Sequence, residues 1–195
     1  MVVLFASITG DDGSSNPDLI GGGGTVYGVS ERVMQYEDVV NELTAEYGIP
    51  EYSGIILAMM MQESGGMGND PMQSSESKCG SIGCITDPKE SIEQGVKYLS
   101  EQIAAADGDL KLAVQSYNFG GGFINYGLER GGYSKEVAIE FSQAQYQRLQ
   151  HTGLYSCIRP ESAQHQACYG DIGYVDAVFG YYSYSEDGEF IGGNS

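Results

Sequence analysis

The chain has 195 residues, 41% of them hydrophobic, enough for one domain with a real core. Only 9 Lys and Arg stand against 27 Asp and Glu, a formal net charge of −18. Phosphate neutralisation is therefore unfavourable, which makes DNA, RNA and anionic membrane surfaces poor partners, and no run approaches the roughly 18 apolar residues of a membrane span.

Val2-Val3-Leu4-Phe5-Ala6 is apolar and stops at Thr9-Gly10-Asp11-Asp12. It reads either as the outer end of an anchor or signal segment or as an arbitrary beginning. Residues 8–28 are rich in Gly, Ser, Asn and Asp, with Gly21-Gly22-Gly23-Gly24 among them, so 1–29 is expected to be an anchor remnant and flexible linker. Ser30 is a natural N-cap, and Val33, Tyr36, Val40, Leu43 and Tyr47 recur at steps of three and four, predicting an amphipathic helix that ends at Gly48 before Pro50. The run Ile55-Ile56-Leu57 and Met59-Met60-Met61 leaves no polar face and predicts a core helix. It runs straight into Gln62-Glu63-Ser64-Gly65-Gly66.

Residues 65–86 have no sustained period and read as an ordered loop, of the kind that in a compact domain is usually functional. Asp87-Pro88-Lys89-Glu90 is a strong helix start, followed by Ile92, Val96, Leu99 and Ile103. Asp109 opens a helix through Leu110, Ala113, Val114 and Tyr117. After Asn118-Phe119-Gly120-Gly121-Gly122 a short helix is expected around residues 123–128, and Ser134 caps a longer one through Val137, Phe141 and Leu149. Residues 153–170 look irregular, and Asp171 caps a last helix with Tyr174, Val175, Val178, Phe179 and Tyr182. From Ser183 the chain turns polar and Gly-rich. These elements predict a mainly α domain over 30–183, with at most a small β-hairpin in the 65–86 loop, and a second linker over 184–195.

Cys79 with Cys84 and Cys157 with Cys168 form two close pairs, flanked by Gly, Ser or Pro, that suit disulfides in an oxidising compartment. Four cysteines still allow three connectivities. Neither spacing is Cys-x-x-Cys, and His151 and His165 are not placed as a zinc site needs, so no metal and no cofactor is expected.

Glycoside cleavage by acid catalysis requires a carboxyl that keeps its proton near neutral pH, and an apolar setting supplies that. Glu63 follows the apolar run and precedes glycines that would let a bulky sugar chain approach the backbone. The strings Met61-Gln62-Glu63-Ser64-Gly65-Gly66, Pro71-Met72-Gln73-Ser74-Ser75 and Ala113-Val114-Gln115-Ser116-Tyr117-Asn118-Phe119-Gly120-Gly121-Gly122 together resemble the signature of the soluble lytic transglycosylase and goose-type lysozyme superfamily. Asp70-Pro71-Met72-Gln73-Ser74-Ser75-Glu76-Ser77 and Gly170-Asp171-Ile172-Gly173-Tyr174-Val175 resemble, more narrowly, the muramidase domain of two-headed Gram-positive wall hydrolases, often carried on conjugative elements.

The resemblance implies a lysozyme-like fold acting on the glycan strands of peptidoglycan, and the chain is expected to be a monomer. It also implies an extracellular or wall-associated location and a peptide-cleaving domain downstream in the parent chain. It makes Glu63 the catalytic acid, Ser64 a hydrogen-bonding neighbour of that acid, Gln73 a sugar contact, and Tyr117 and Asn118 the pair lining the opposite wall of the cleft. Of the 15 tyrosines, Tyr126 and Tyr133, beside glycines near the Asn118 loop, are further candidates for the cleft lining.

One departure matters: Asp70-Pro71 stands where transglycosylases of this superfamily carry Gly-Leu before Met-Gln. A hydrolase needs a second carboxylate, about 6.5–9.5 Å from the acid if inverting and about 5–5.5 Å if retaining. A transglycosylase needs none, because the substrate's own 6-hydroxyl attacks. Asp70, Glu76 and Asp87 are the candidates, with Glu76 first because Asp87 is an N-cap and Asp70 precedes proline. Two other classes stay open: a glycan-gripping module of a secretion or conjugation machine, and a cysteine peptidase using Cys157 or Cys168 with His165.

Overall fold

The computed structural model describes residues 20–21 and 24–183, and of residues 20–21 only the backbone. The expected anchor and linker over 1–19 and 22–23, and the linker over 184–195, lie outside the described residues. The chain divides into two compact units. Among the described residues, one comprises 20–100 with 176–183 and the other Glu101–Val175.

The first unit is built on α1 (Glu31–Met34), α2 (Glu37–Glu46), α3 (Ser53–Ser64) and α4 (Ser75–Cys79), with the greater part of α5 (Pro88–Ala105). Ser30 caps α1, its Oγ accepting the Val33 N–H at 3.3 Å. The single helix expected over 30–48 is two, broken at Gln35 and Tyr36. The Gln35 side chain donates to the Arg32 carbonyl at 2.8 Å and the Tyr36 N–H turns back to Val33, so the regular ladder lapses for one turn. Helix α3 is buried from Ser53 through Met60, as its unbroken apolar run requires. With Val33, Val40, Leu43, Met72, Ile92, Val96 and Leu99 it makes the core of this unit.

A small antiparallel sheet lies here in the order β1 (Ile20–Gly21), β2 (Gly24–Val26) and β3 (Tyr182–Ser183). The only hairpin expected was in 65–86, where the structure has α4 and no strand. Strand β3 joins because Tyr182, buried at 2%, lays its ring on Gly54 of α3, where a β-carbon would sit 2.9 Å from that ring. No local sequence period announces such a contact.

The second unit holds α6 (Leu110–Phe119), α7 (Gly122–Leu128), α8 (Lys135–Leu149), α9 (Pro160–His165) and the first residues of α10 (Tyr174–Phe179). Two of the expected caps are made: Asp109 accepts from the Leu112 N–H at 2.9 Å and Ser134 from the Val137 N–H at 3.2 Å. At the α8 start, Glu136 is held below its ordinary carboxylate range by its own backbone N–H and by the Ser134 hydroxyl. Phe119 centres the core, edge-on to Phe123 at 5.2 Å and stacked with Phe141 at 5.5 Å. Helix α9 interrupts the stretch expected to be irregular. Its signal was present, since Pro160 occupies the first helical position and Glu161 follows.

Of the three possible connectivities the structure has Cys79–Cys84 and Cys157–Cys168, each closing a short loop, and no cysteine is free. The cysteine-peptidase reading therefore loses its thiolate. Loop closure predicts about 3 kcal/mol of stability from the bridge spanning 11 residues and about 2 from the one spanning 5. Calorimetry of the two double-serine variants tests this, and a larger loss for Cys79→Ser/Cys84→Ser would overturn the loop-length account.

Candidate active site

Glu63 occupies the last turn of α3 and is 7% exposed, although the residues around it in sequence, Gln62 and Ser64, are only half-buried. Burial follows from the helix itself, because Met59 and Met60 one turn earlier are fully buried and continue the same apolar column. The helix stops because Gly65 takes a left-handed backbone (φ 63°) and returns its N–H to the Met60 and Met61 carbonyls at 3.1 and 3.0 Å. Gly66 follows at φ 78°, and a β-carbon there would lie 2.8 Å from the Arg32 carbonyl group and 2.9 Å from the Val33 N. The glycine is needed because the backbone of α1 comes close. The expectation that it makes room for a sugar is not required to explain it.

Ser64 ties the loop after Glu63 to itself. Its hydroxyl donates to the Pro71 carbonyl at 2.8 Å and accepts the Gly66 and Met67 N–H groups at 3.1 and 3.2 Å. From Asp70 onward the chain is fastened to α5. Met72 is fully buried, its N–H donating to the Ser91 Oγ at 3.0 Å, and its side chain lies where a β-carbon on Gly95, one turn further along α5, would meet it at 3.0 Å.

Gln73 is exposed and has φ 50°, an uncommon conformation for a residue with a side chain. Glu76 is exposed in the first turn of α4. Asp87 is exposed and accepts the Lys89 N–H at 3.0 Å at the head of α5, the capping role its sequence suggests. Lys78 on α4 pairs with Glu90 on α5, so the segment from Asp70 to the Cys79–Cys84 bridge is held at several points.

The first unit thus carries Glu63, Ser64, Gln73 and Glu76, whereas Tyr117, Asn118, Tyr126 and Tyr133 belong to the second. There, every residue of α6 from Leu112 to Phe119 is buried, Tyr117 at 7% and Asn118 at 2%. Asn118 Oδ1 accepts the Asp171 N–H at 2.7 Å, and Gln115 donates to the Asp171 carbonyl at 2.9 Å. Asp171 also accepts the Gly173 N–H at 2.9 Å and pairs with Arg159 at 3.4 Å. The Gly170-Asp171 string is explained by this junction. A β-carbon on Gly170 would fall 2.6 Å from the Phe119 ring and 2.8 Å from Asn118 Oδ1.

Tyr126 is half-buried with the Arg130 guanidinium 3.5 Å over its ring and Phe141 edge-on at 5.1 Å, so protein groups already use its ring. Tyr133 is half-buried and its N–H donates to Asp109 at 2.6 Å. Sequence reasoning missed the anchoring work of Asp70, Ser91 and Asp171. Asp171 was legible only as a cap, and no local pattern pairs Asp70 with Ser91, 21 residues away.

The helical order, with a buried glutamate ending an apolar helix, is that of the lysozyme-like family, to which the chain belongs: the family model matches residues 30–182. Among its relatives, the bifunctional muramidase/DL-endopeptidase CwlT of Bacillus subtilis (strain 168) is 39% identical over 168 residues, 84% of this chain and 46% of CwlT. YocA, an uncharacterized membrane protein of the same strain, is 39% identical over 155 residues, 77% of this chain and 68% of YocA. A crystal structure of a protein similar to lipoprotein, of the NLP/P60 family, from Staphylococcus aureus matches with a TM-score of 0.69 at 35% identity, covering 81% of this chain and 55% of that one. The chain thus spans about half the length of CwlT and of the staphylococcal protein.

Proposed function

We propose that the chain is a peptidoglycan muramidase that cleaves the β-1,4 bond between N-acetylmuramic acid and N-acetylglucosamine, with Glu63 as general acid. The observation that carries the reading is the 7% exposure of Glu63 at the end of a helix with no polar face. A carboxyl in that setting keeps its proton to higher pH than one in water, and so can deliver it to the leaving glycosidic oxygen. Membership in the lysozyme-like family and the muramidase name of CwlT support the same chemistry.

Gln73, exposed on an anchored loop, is the proposed sugar contact. Tyr117 and Asn118, with Tyr126 and Tyr133 as further candidates, are proposed as glycan contacts on the strength of the resemblance. Ser64 supports the acid by fixing the loop that follows it. If water is the nucleophile, Glu76 on the exposed face of α4 is the proposed base, because Asp87 is committed to capping α5 and Asp70 to its own loop.

The name of CwlT supports a peptidase domain in the parent chain, and two disulfides support an extracellular location, where the proposed protein acts as a wall-associated monomer. Among the described residues no helix is long and apolar enough to cross a membrane.

Mass spectrometry of products from purified peptidoglycan, comparing the native protein with Glu63→Gln, tests the assignment. Reducing-end muramic acid identifies a hydrolase, and 1,6-anhydro ends identify a transglycosylase in which Glu63 acts without a partner carboxylate. A product pattern indifferent to Glu63, or none at all, would move the protein to the glycan-gripping class.

A further inference from the structure

We infer that Asp70 is a positioning residue that presents Gln73 to the glycan, an inference resting on the muramidase reading above. Gln73 is exposed and left-handed, and an unconstrained glutamine leaves that conformation for the right-handed or extended regions. Two hydrogen bonds hold it: its backbone N–H and its side-chain Nε2 both donate to the Asp70 carbonyl, each at 3.0 Å. The placement of Gln73 is therefore as firm as that of Asp70.

The Asp70 carboxylate is fixed from four sides. Oδ1 accepts the Ser74 N–H at 2.8 Å and the Ser91 hydroxyl at 2.6 Å, and Oδ2 accepts the Ser75 N–H at 3.0 Å and the Ser75 hydroxyl at 2.6 Å. The two N–H donors belong to the residues immediately after Gln73, so the same side chain grips the chain on both sides of it. Each hydroxyl in turn accepts a backbone N–H, Ser91 from Met72 at 3.0 Å and Ser75 from Ile85 at 3.2 Å. That orders the network: both hydroxyl protons point at Asp70, and only an ionised carboxylate offers acceptors to all four donors at once. An asparagine would set an NH2 group against two of them. Through buried Ser91 the whole unit is tied to α5, with fully buried Met72 seated over Gly95 beside it. Asp70 thus acts on substrate through Gln73, and its oxygens are spent on Ser74, Ser75 and Ser91.

The test is a double-mutant cycle of Asp70→Asn and Gln73→Ala. It is read as the Kd for soluble peptidoglycan glycan strands in the Glu63→Gln protein, and as KM and kcat in the protein with Glu63 intact. Each single change is expected to raise Kd and KM about tenfold with kcat changed by less than about threefold, the size of one well-placed hydrogen-bonding group. The double variant is expected to be no weaker than Gln73→Ala alone, a non-additivity that a merely structural role would not produce.

Should Asp70→Asn fail to fold, Ser91→Ala removes one of the four donors and is expected to weaken binding in the same sense, again only while Gln73 is present. Additive losses, or a Gln73→Ala protein that binds strands as tightly as its parent, overturn the inference. Strand binding without any Glu63-dependent product would instead sink the muramidase reading and leave the binding cycle to be read on its own.

Discussion

Replacing Glu63 with glutamine is expected to lower the release of soluble fragments from peptidoglycan by about a thousandfold, within the range a general acid contributes. Gln is close to Glu in volume and the site is 7% exposed, so packing changes little and the fold is retained. The amide lacks a proton of suitable acidity, so the leaving oxygen departs unassisted. Binding of glycan strands should persist, which separates loss of chemistry from loss of recognition. The pH profile gives the same test without mutation. The acid must be protonated to deliver its proton to the leaving oxygen. Activity should therefore fall as pH rises and the acid loses its proton. Turnover that stays flat into the alkaline range, or a Glu63→Gln protein that keeps a tenth of native activity, would remove Glu63 from the acid's role.

The helices were legible wherever a cap and a period coincided, as at Ser30, Asp109 and Ser134, because capping and amphipathic burial are decided within a few residues. The burial of Glu63 was legible for the same reason, because a helix with no polar face that ends on a carboxyl and glycines holds that carboxyl against the core. What escaped was set by partners distant in sequence. Strand β3 pairs with β2 across more than 150 residues and depends on Tyr182 finding Gly54, a contact with no period of its own. Asp70 reads as a loop acid until Ser91 is placed against it. The break in the first helix had a local cause, but one that a stripe of apolar positions cannot show, since Gln35 bonds to the backbone through its side chain. Helix α9 is different, because Arg159-Pro160-Glu161 carries a start signal but no apolar stripe follows it.

Gly66→Ala is expected to cost about 3 kcal/mol and to lower the unfolding temperature by about 10 °C, whereas Gly65→Ala costs about 1 kcal/mol and about 3 °C. Both residues are left-handed, at φ 78° and 63°, so both substitutions carry the conformational penalty of a β-carbon there. They differ in what that carbon meets. At Gly65 nothing lies within 4 Å, but at Gly66 the carbon would lie 2.8 Å from the backbone of Arg32, which no side-chain rotation can relieve. One of the two segments must move. The Ser30 hydroxyl, which donates to the Gly65 carbonyl at 3.0 Å while capping α1, holds them together at this point. A displaced loop would carry Ser64 and its bond to Pro71 with it, and so shift the turn that ends at Glu63. Gly66→Ala should therefore also reduce fragment release at temperatures where the protein remains folded, while Gly65→Ala should leave it within about twofold of native. Calorimetry paired with the release assay decides the matter. Equal losses for the two alanines would mean that backbone conformation alone sets the requirement for glycine after Glu63, and that the approach of α1 is incidental.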